Sequence, residues 1–284
     1  MKEPTIRTMN HTNLYEGAKD WVYVQPPKHY PFFFENVNMV WWQNMMIEYW
    51  KFPFVICAIY LSIVFGIQAF MKNREAYKLR RVLIIWNLTM AAINLMGFLR
   101  QAPELYEILN KPDGIHRSLC VREELNQPAA TWGLYFCLSK FIFLGDTVLI
   151  VLTKRPLLFI YWYHHVVAVL ISWQIFPDSE PICRWIGSSN FFVLAVMYFY
   201  FALKAMNFKL PRTAGLTIAI LHVIEMFIGT ATQIYTAREI VKGRECARTV
   251  NSIKWSMIPH ISLLFFFGKL LFNYVRSKPK RKEA

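Results

Sequence analysis

This chain predicts an all-α fold: a polytopic membrane protein of seven transmembrane helices around an enclosed tunnel. Three observations predict it. Of its 284 residues 55% are hydrophobic, above the roughly 45–50% of an average soluble domain. The apolar residues come in long blocks without polar alternation. The 32 Lys and Arg residues outnumber 18 Asp and Glu for a net charge of +14, yet they fall in short clusters between the blocks. That distribution belongs to a multi-pass membrane protein and argues against a nucleic-acid partner.

Each element follows from its stretch of sequence. Residues 1–31 are polar, with three prolines before residue 30, and lack the basic-then-apolar order of a cleaved signal. The stretch 31-PFFFENVNMVWWQNMMIEYW-50 is aromatic at both ends and carries Glu35 and Glu48, which fits an interfacial helix better than a span. A hydrocarbon core needs about 20 apolar residues of helix. Runs meeting or nearing that length lie at 52–71, 82–99, 131–152, 157–176, 185–205, 213–235 and 252–275, within one membrane domain over 32–275. A basic tail, 276–284, follows.

Loop charge sets the orientation. Lys72, Arg74, Lys78, Arg80 and Arg81, then Lys154 and Arg155, then Lys204, Lys209 and Arg212, share one side with the C-terminal tail. The opposite loops mix basic with acidic residues. The positive-inside rule makes the first side cytosolic and leaves the N-terminus lumenal. Asn10-His11-Thr12 is then a glycosylation sequon on the non-cytosolic side;. Cys120 and Cys246 both fall in non-cytosolic loops, where a disulfide can persist; two unpaired thiols are the alternative. The final KRKEA has the lysine spacing of a cytosolic signal for endoplasmic reticulum retention.

Ionisable groups inside spans are expensive and mark function. His164 and His165 stand in the apolar run 158-LFIYWYHHVVAVLISWQIF-176. Counted from the basic ends, His164 lies about 13 Å into the membrane, Asp146 about 12 Å, His222 about 15 Å and Glu225 about 20 Å. Tyr161, His164, His165 and Ala168 share a helix face, as do His222 and Glu225. The fifth span adds Asn190, Tyr198 and Tyr200, with Leu194 at the matching depth, and the third adds Lys140. The bland alternatives are that the histidines only bridge helices, that Asp146 only anchors Lys140 or a neighbouring helix, and that His222 and Glu225 pair with each other. His260 reads as structural. A metal site is not expected, because membrane di-iron enzymes use several histidine boxes and about eight ligands, and the spans here hold too few histidines.

The string 139-SKFIFLGDTVLIVLTKRPLLFIYWYHH-165 resembles the ELO family of very-long-chain fatty acid elongases, whose signature reads approximately K-x-x-E-L-x-D-T followed by F-L-H-x-Y-H-H. The stretch 190-NFFVLAVMYFYFAL-203 is similar to the family's N-x-x-V-H-x-x-M-Y-x-Y-Y, and 86-WNLTMAAINLMGFLR-100, 119-LC-120 and the tail lysines add to the likeness. It is nearest the subgroup acting on saturated and monounsaturated chains. The resemblance implies a 3-oxoacyl-CoA synthase that condenses acyl-CoA with malonyl-CoA, with no bound cofactor. It further implies membrane lipid and other elongation enzymes as partners, with a homodimer compatible with it. By the same resemblance His164 is the acyl-accepting nucleophile, His165 its helper, and Asp146 the partner fixing an imidazole tautomer. Asn190 and Tyr198 would hydrogen-bond the thioester region, and Lys140, Tyr200, His222 and Glu225 complete the substrate-binding set. The departures are Tyr161 and Leu194 for family histidines, Phe143 for the glutamate, Phe201 for the third tyrosine, and His222 and Glu225 for two glutamines. Loss of a positioned proton-transfer group typically costs about 10²–10⁴-fold in rate. Either His222 and Glu225 take over the lost role, or the fold persists as a non-catalytic acyl-CoA-binding or lipid-binding subunit that modulates active elongases.

Overall fold

In a computed structural model the chain is described over residues 7–8, 22–23, 29–123 and 125–276. Asn10 with its sequon and the KRKEA tail lie outside the described residues. Near the N-terminus Arg7–Thr8 and Val22–Tyr23 form a two-residue antiparallel pairing; among the described residues every other element is helical.

Helix α1 (Met39–Glu48) is too short to cross a membrane and is capped by Asn38, whose Oδ1 accepts from the Trp41 N–H at 3.0 Å. It lies across one end of the bundle, burying Met39 and Met46 against Leu134, Cys137 and Trp173. The seven long apolar helices follow: α2 (Phe52–Met71), α3 (Arg80–Leu109), a short α4 (Gly114–Cys120), α5 (Gln127–Leu152), α6 (Phe159–Ile175, extended by a 3-10 turn, Phe176–Asp178), α7 (Cys183–Ala205), α8 (Arg212–Val241) and α9 (Val250–Arg276). Prolines mark their starts: Pro53 and Pro128 occupy first-turn positions and Pro211 the N-cap, where a missing N–H costs nothing. The second span is longer than its apolar run 82–99. Hydropathy marks only the part within hydrocarbon, while the helix continues through Pro103 to Leu109;.

The bundle has two unlike ends. At the basic end Arg80 Nε donates to the Ala205 carbonyl at 2.9 Å, and Arg212 Nη2 to the Tyr274 carbonyl at 2.6 Å. At the other end Cys120 and Cys246 form a disulfide. Buried ion pairs surround it. Arg184 meets Glu104 at 2.9 Å and Arg248 meets Glu180 at 2.8 Å. Arg248 also donates to Gln233 and Thr236, at 2.6 and 2.9 Å. Glu35, fully buried just before α1, accepts from Arg100, Trp132 and the Phe32 N–H. Burial works to raise its carboxyl, but these bonds outweigh it and hold the group below its ordinary 4.5;.

Between the ends, α3 runs along α7 and α8 along α9. Two glycines permit the approach. A Cβ at Gly187 would collide with the Gln101 amide, and one at Gly229 with the His260 ring.

Candidate functional site

Helical periodicity turns the site's side chains inward. On α5 Lys140, Phe143 and Thr147 form one buried stripe; on α7 Asn190, Leu194 and Tyr198 form another; on α8 His222, Glu225 and Gly229 a third;. Where the stripes meet, Lys140 Nζ donates to Asn190 Oδ1 at 2.6 Å, and Asn190 Nδ2 donates to Glu225 Oε1 at 2.6 Å. One cation and one carboxylate on separate helices are thus joined through an amide. Lys140 is 6% exposed and Glu225 5%. The ammonium also lies 3.7 Å from the Phe136 ring centroid, where the ring's negative face favours it. Glu225 Oε2 has no hydrogen-bond partner.

These three residues line a cavity together with His164. It contains roughly 1460 Å³ of atom-free space, counted out to its openings, and runs from Lys140 and His164 toward the disulfide end. Its middle is apolar, with Val167, Ile171, Ile186 and Leu263 on the wall. An elongated, mainly apolar chamber with a few convergent polar groups at one level is the form of a site for an apolar chain with a reactive head.

Around His164, the His165 ring lies 5.6 Å away and the Phe267 ring 5.7 Å away. Phe267 in turn stacks on His222 at 5.0 Å. Phe267 therefore contacts both imidazoles, edge to face with His164 and stacked on His222. Neutral imidazole offers one donor and one acceptor nitrogen, so His164 reaches the cavity as a side chain able to attack or to move a proton.

Several expected placements need correction. Asp146 does not hold an imidazole. Its oxygens accept from Trp86 Nε1 at 2.5 Å and from the Tyr198 hydroxyl, so it ties α5 to α3 and α7. Tyr198, committed to Asp146 and buried among Met90, Phe143 and Leu194, is off the cavity wall. Tyr200 sits near the basic end beside Gly215, with Lys204 over its ring at 5.2 Å. His222 gives Nδ1 to the Ile218 carbonyl at 2.9 Å, stacks on Phe267 and is not on the cavity wall; Glu225 takes its hydrogen bond from Asn190. His165 is on the same helix face as expected but is not on the cavity wall. His260, read as structural, does line the cavity, its Nδ1 on the Ser256 carbonyl at 2.7 Å.

Two of the departures from the family pattern are grouped in space. Phe143 and Leu194 belong to one buried apolar cluster with Met90 and Ala91. A glutamate and a histidine in the family pattern thus correspond here to two apolar residues packed in one cluster. Tyr161 packs near Ile160, Met226 and Leu263, and Phe201 is exposed beside Tyr200. Trp86, although it opens the 86–100 stretch, and Gln43 and Gln101 had no signal in the sequence that singled out their side chains: each is one polar side chain in an otherwise ordinary apolar or interfacial context.

Residues 45–283 match the ELO family, described as the GNS1/SUR4 family. Among similar proteins, Very long chain fatty acid elongase 6 of Drosophila melanogaster is 36% identical over 236 residues, 81% of this chain and 74% of that protein. Its Homo sapiens counterpart is 32% identical over 254 residues, covering 89% and 94%. Very long chain fatty acid elongase 3 of Homo sapiens is 33% identical over 239 residues, covering 83% and 87%.

Proposed function

We propose that this chain, which belongs to the ELO (GNS1/SUR4) family, is a very-long-chain fatty acid elongase of the 3-oxoacyl-CoA synthase type whose reaction centre is His164. The observation that carries the assignment is that His164 shares a cavity wall with the linked Lys140, Asn190 and Glu225, at the head of a long apolar chamber. The substrates are acyl-CoA and malonyl-CoA. The basic end, rich in Lys and Arg, faces the cytosolic side of the endoplasmic reticulum membrane and attracts the polyanionic CoA; the N-terminus is lumenal.

A ring nitrogen of neutral His164 attacks the thioester carbonyl carbon. The carbon–sulfur bond breaks and CoA leaves as thiolate, to be protonated on the cytosolic side. Malonyl-CoA then loses carbon dioxide, and the electron pair of that broken bond forms the new carbon–carbon bond to the acyl carbon, releasing His164. The product is 3-oxoacyl-CoA, two carbons longer. Lys140 is placed to stabilise negative charge developing on the carbonyl oxygen. Glu225, with one oxygen unpartnered, can hold the proton that a histidine at position 194 would otherwise manage, and Asn190 couples the two. His165 flanks the nucleophile and supports its orientation. Asp146, Trp86 and Tyr198 fix the helices that carry these groups. The non-catalytic reading is not favoured, because a pure binding subunit has no use for a desolvated lysine–carboxylate relay beside an imidazole.

The test is extension of labelled malonyl-CoA by microsomes containing the chain, offered a panel of acyl-CoAs. Extended product that disappears in His164→Ala, with protein level unchanged, is expected. No product from any acyl-CoA, with activity appearing in Tyr161→His/Leu194→His, would instead mark this chain as a silent relative.

A further inference from the structure

A second recess lies at the basic end, apart from the reaction cavity. It is set between the end of α2 and the link from α5 to α6. Lys72, Lys154 and Arg155 are on its wall, around roughly 560 Å³ of atom-free space counted out to its opening. It shares no lining residue with the reaction cavity, to which α2 contributes nothing.

The cations at this end are not alike. Arg80 and Arg212 are held by backbone carbonyls of neighbouring helices, and Arg74 lies 3.9 Å from the Phe70 ring centroid. The side chains of Lys72 and Arg155 make no hydrogen bond or ion pair with any described residue, and Lys154 Nζ reaches only the Lys72 carbonyl, at 3.3 Å. Lys154 also stands where a lysine is unusual. It follows the last turn of α5 with a φ of 52°. The Lys154 and Arg155 N–H groups close that turn on the Val151 and Ile150 carbonyls, at 3.0 and 3.1 Å. Glycine commonly takes this left-handed position, because it has no Cβ to clash. The turn thus brings two cations to the recess, and the end of α2 delivers a third.

No carboxylate lines the recess, so its charge calls for an anion. The surroundings say which kind. Toward the middle of the membrane Phe65 on α2 and Phe159 on α6 remain 44% and 48% exposed, each edge to face with Trp162. A cationic recess above an apolar ledge, where spans leave the hydrocarbon, fits a lipid with its tails on the ledge and its headgroup in the recess. A free anion has no use for the ledge. Three cations suit a phosphomonoester, which carries about −1.5 to −2 charges at neutral pH, better than a singly charged phosphodiester.

We propose that Lys72, Lys154 and Arg155 form a binding site for an anionic phospholipid with a phosphomonoester headgroup, of which phosphatidic acid is the simplest. The proposal needs only that these helices span a membrane, and it stands apart from the elongase reading.

The experiment titrates the full-length chain in mild detergent with phosphatidic acid or with phosphatidylcholine of the same acyl chains, and counts bound lipid by native mass spectrometry. Phosphatidic acid should bind at least about tenfold more tightly. Lys72→Gln/Lys154→Gly should weaken it about thirtyfold, the contribution of two lysines at a membrane surface. Glycine suits the backbone at position 154, so this variant keeps its fold. Lys204→Gln/Lys209→Gln removes as much charge from the same end outside the recess, and should leave the affinity within about threefold because distant exposed charges are screened. Equal binding of the two lipids to the unaltered chain overturns the proposal, as do equal losses in the two variants. Inorganic phosphate and CoA separate a lipid site from one for a soluble phosphate. Neither should displace phosphatidic acid at equal concentration, and displacement by either one overturns the assignment to lipid.

Discussion

The polar groups of this protein are arranged in two contrasting ways. At the disulfide end, Arg248 reaches Glu180, Gln233 and Thr236, and the Ser252 hydroxyl bonds the same Glu180. Midway through the bundle, Lys140, Asn190 and Glu225 form a single line, Glu225 keeps an unpartnered oxygen, and His164 stands on a cavity wall. Both regions are deeply buried. The first is a network in which charge is matched several times over, which makes it a structural clamp. The second is a single line of hydrogen bonds with one carboxylate oxygen left unpartnered, beside a cavity. Burial alone does not distinguish structure from function here, nor does a single unpartnered atom, since Gln233 Nε2 in the clamp lacks a partner as Glu225 Oε2 does; the cavity beside the second region does.

The contrast can be broken most forcefully at the clamp. Arg248→Met leaves Glu180 buried without its cation, and breaking such a pair typically costs about 3–5 kcal/mol. Unfolding of the detergent-solubilised full-length chain should show that loss, while the rate per folded molecule stays near that of the unaltered protein. Equal stability would mean that the clamp is not one.

At the cavity the opposite pattern is expected. Glu225→Gln keeps the bond to Asn190 and removes only the charge and the proton-holding oxygen. Elongation should fall about 10²-fold, within the range for a positioned proton-transfer group, with no loss of thermal stability. An unchanged rate would remove Glu225 from the chemistry and leave His164 and Lys140 to account for it.

A smaller effect would sharpen the comparison from a third place. Phe143 and Leu194 pack in one apolar cluster where the family pattern has a glutamate and a histidine. Phe143→Glu and Leu194→His should each destabilise the chain by burying an unmatched polar group. If the two positions act as one unit, the double substitution should recover about 0.5–3 kcal/mol relative to the sum, the usual coupling between residues in contact. Strict additivity would show that the two changes are independent.

The seven spans, the basic end and the concentration of His, Asp, Glu and Lys at mid-depth were legible from residue order. Asp146 shows where that reading ran out. Depth along a helix axis says nothing about azimuth, and Trp86 and Tyr198 claim this carboxylate. His222 is a second case: it stacks on Phe267, which also contacts His164, yet it is not on the cavity wall. His260 is a third, because its distance along the chain from every motif hid its place on the cavity wall.

By itself the sequence determined the membrane class, the spans and which residues are too polar for lipid, because the cost of burying charge in hydrocarbon is paid residue by residue and needs no neighbour to evaluate. Which of those residues are linked, and which line the cavity, only the tertiary structure decided. Hydrogen bonds act over about 3 Å, a distance set by how helices rotate and pack against one another and not by their order in the chain.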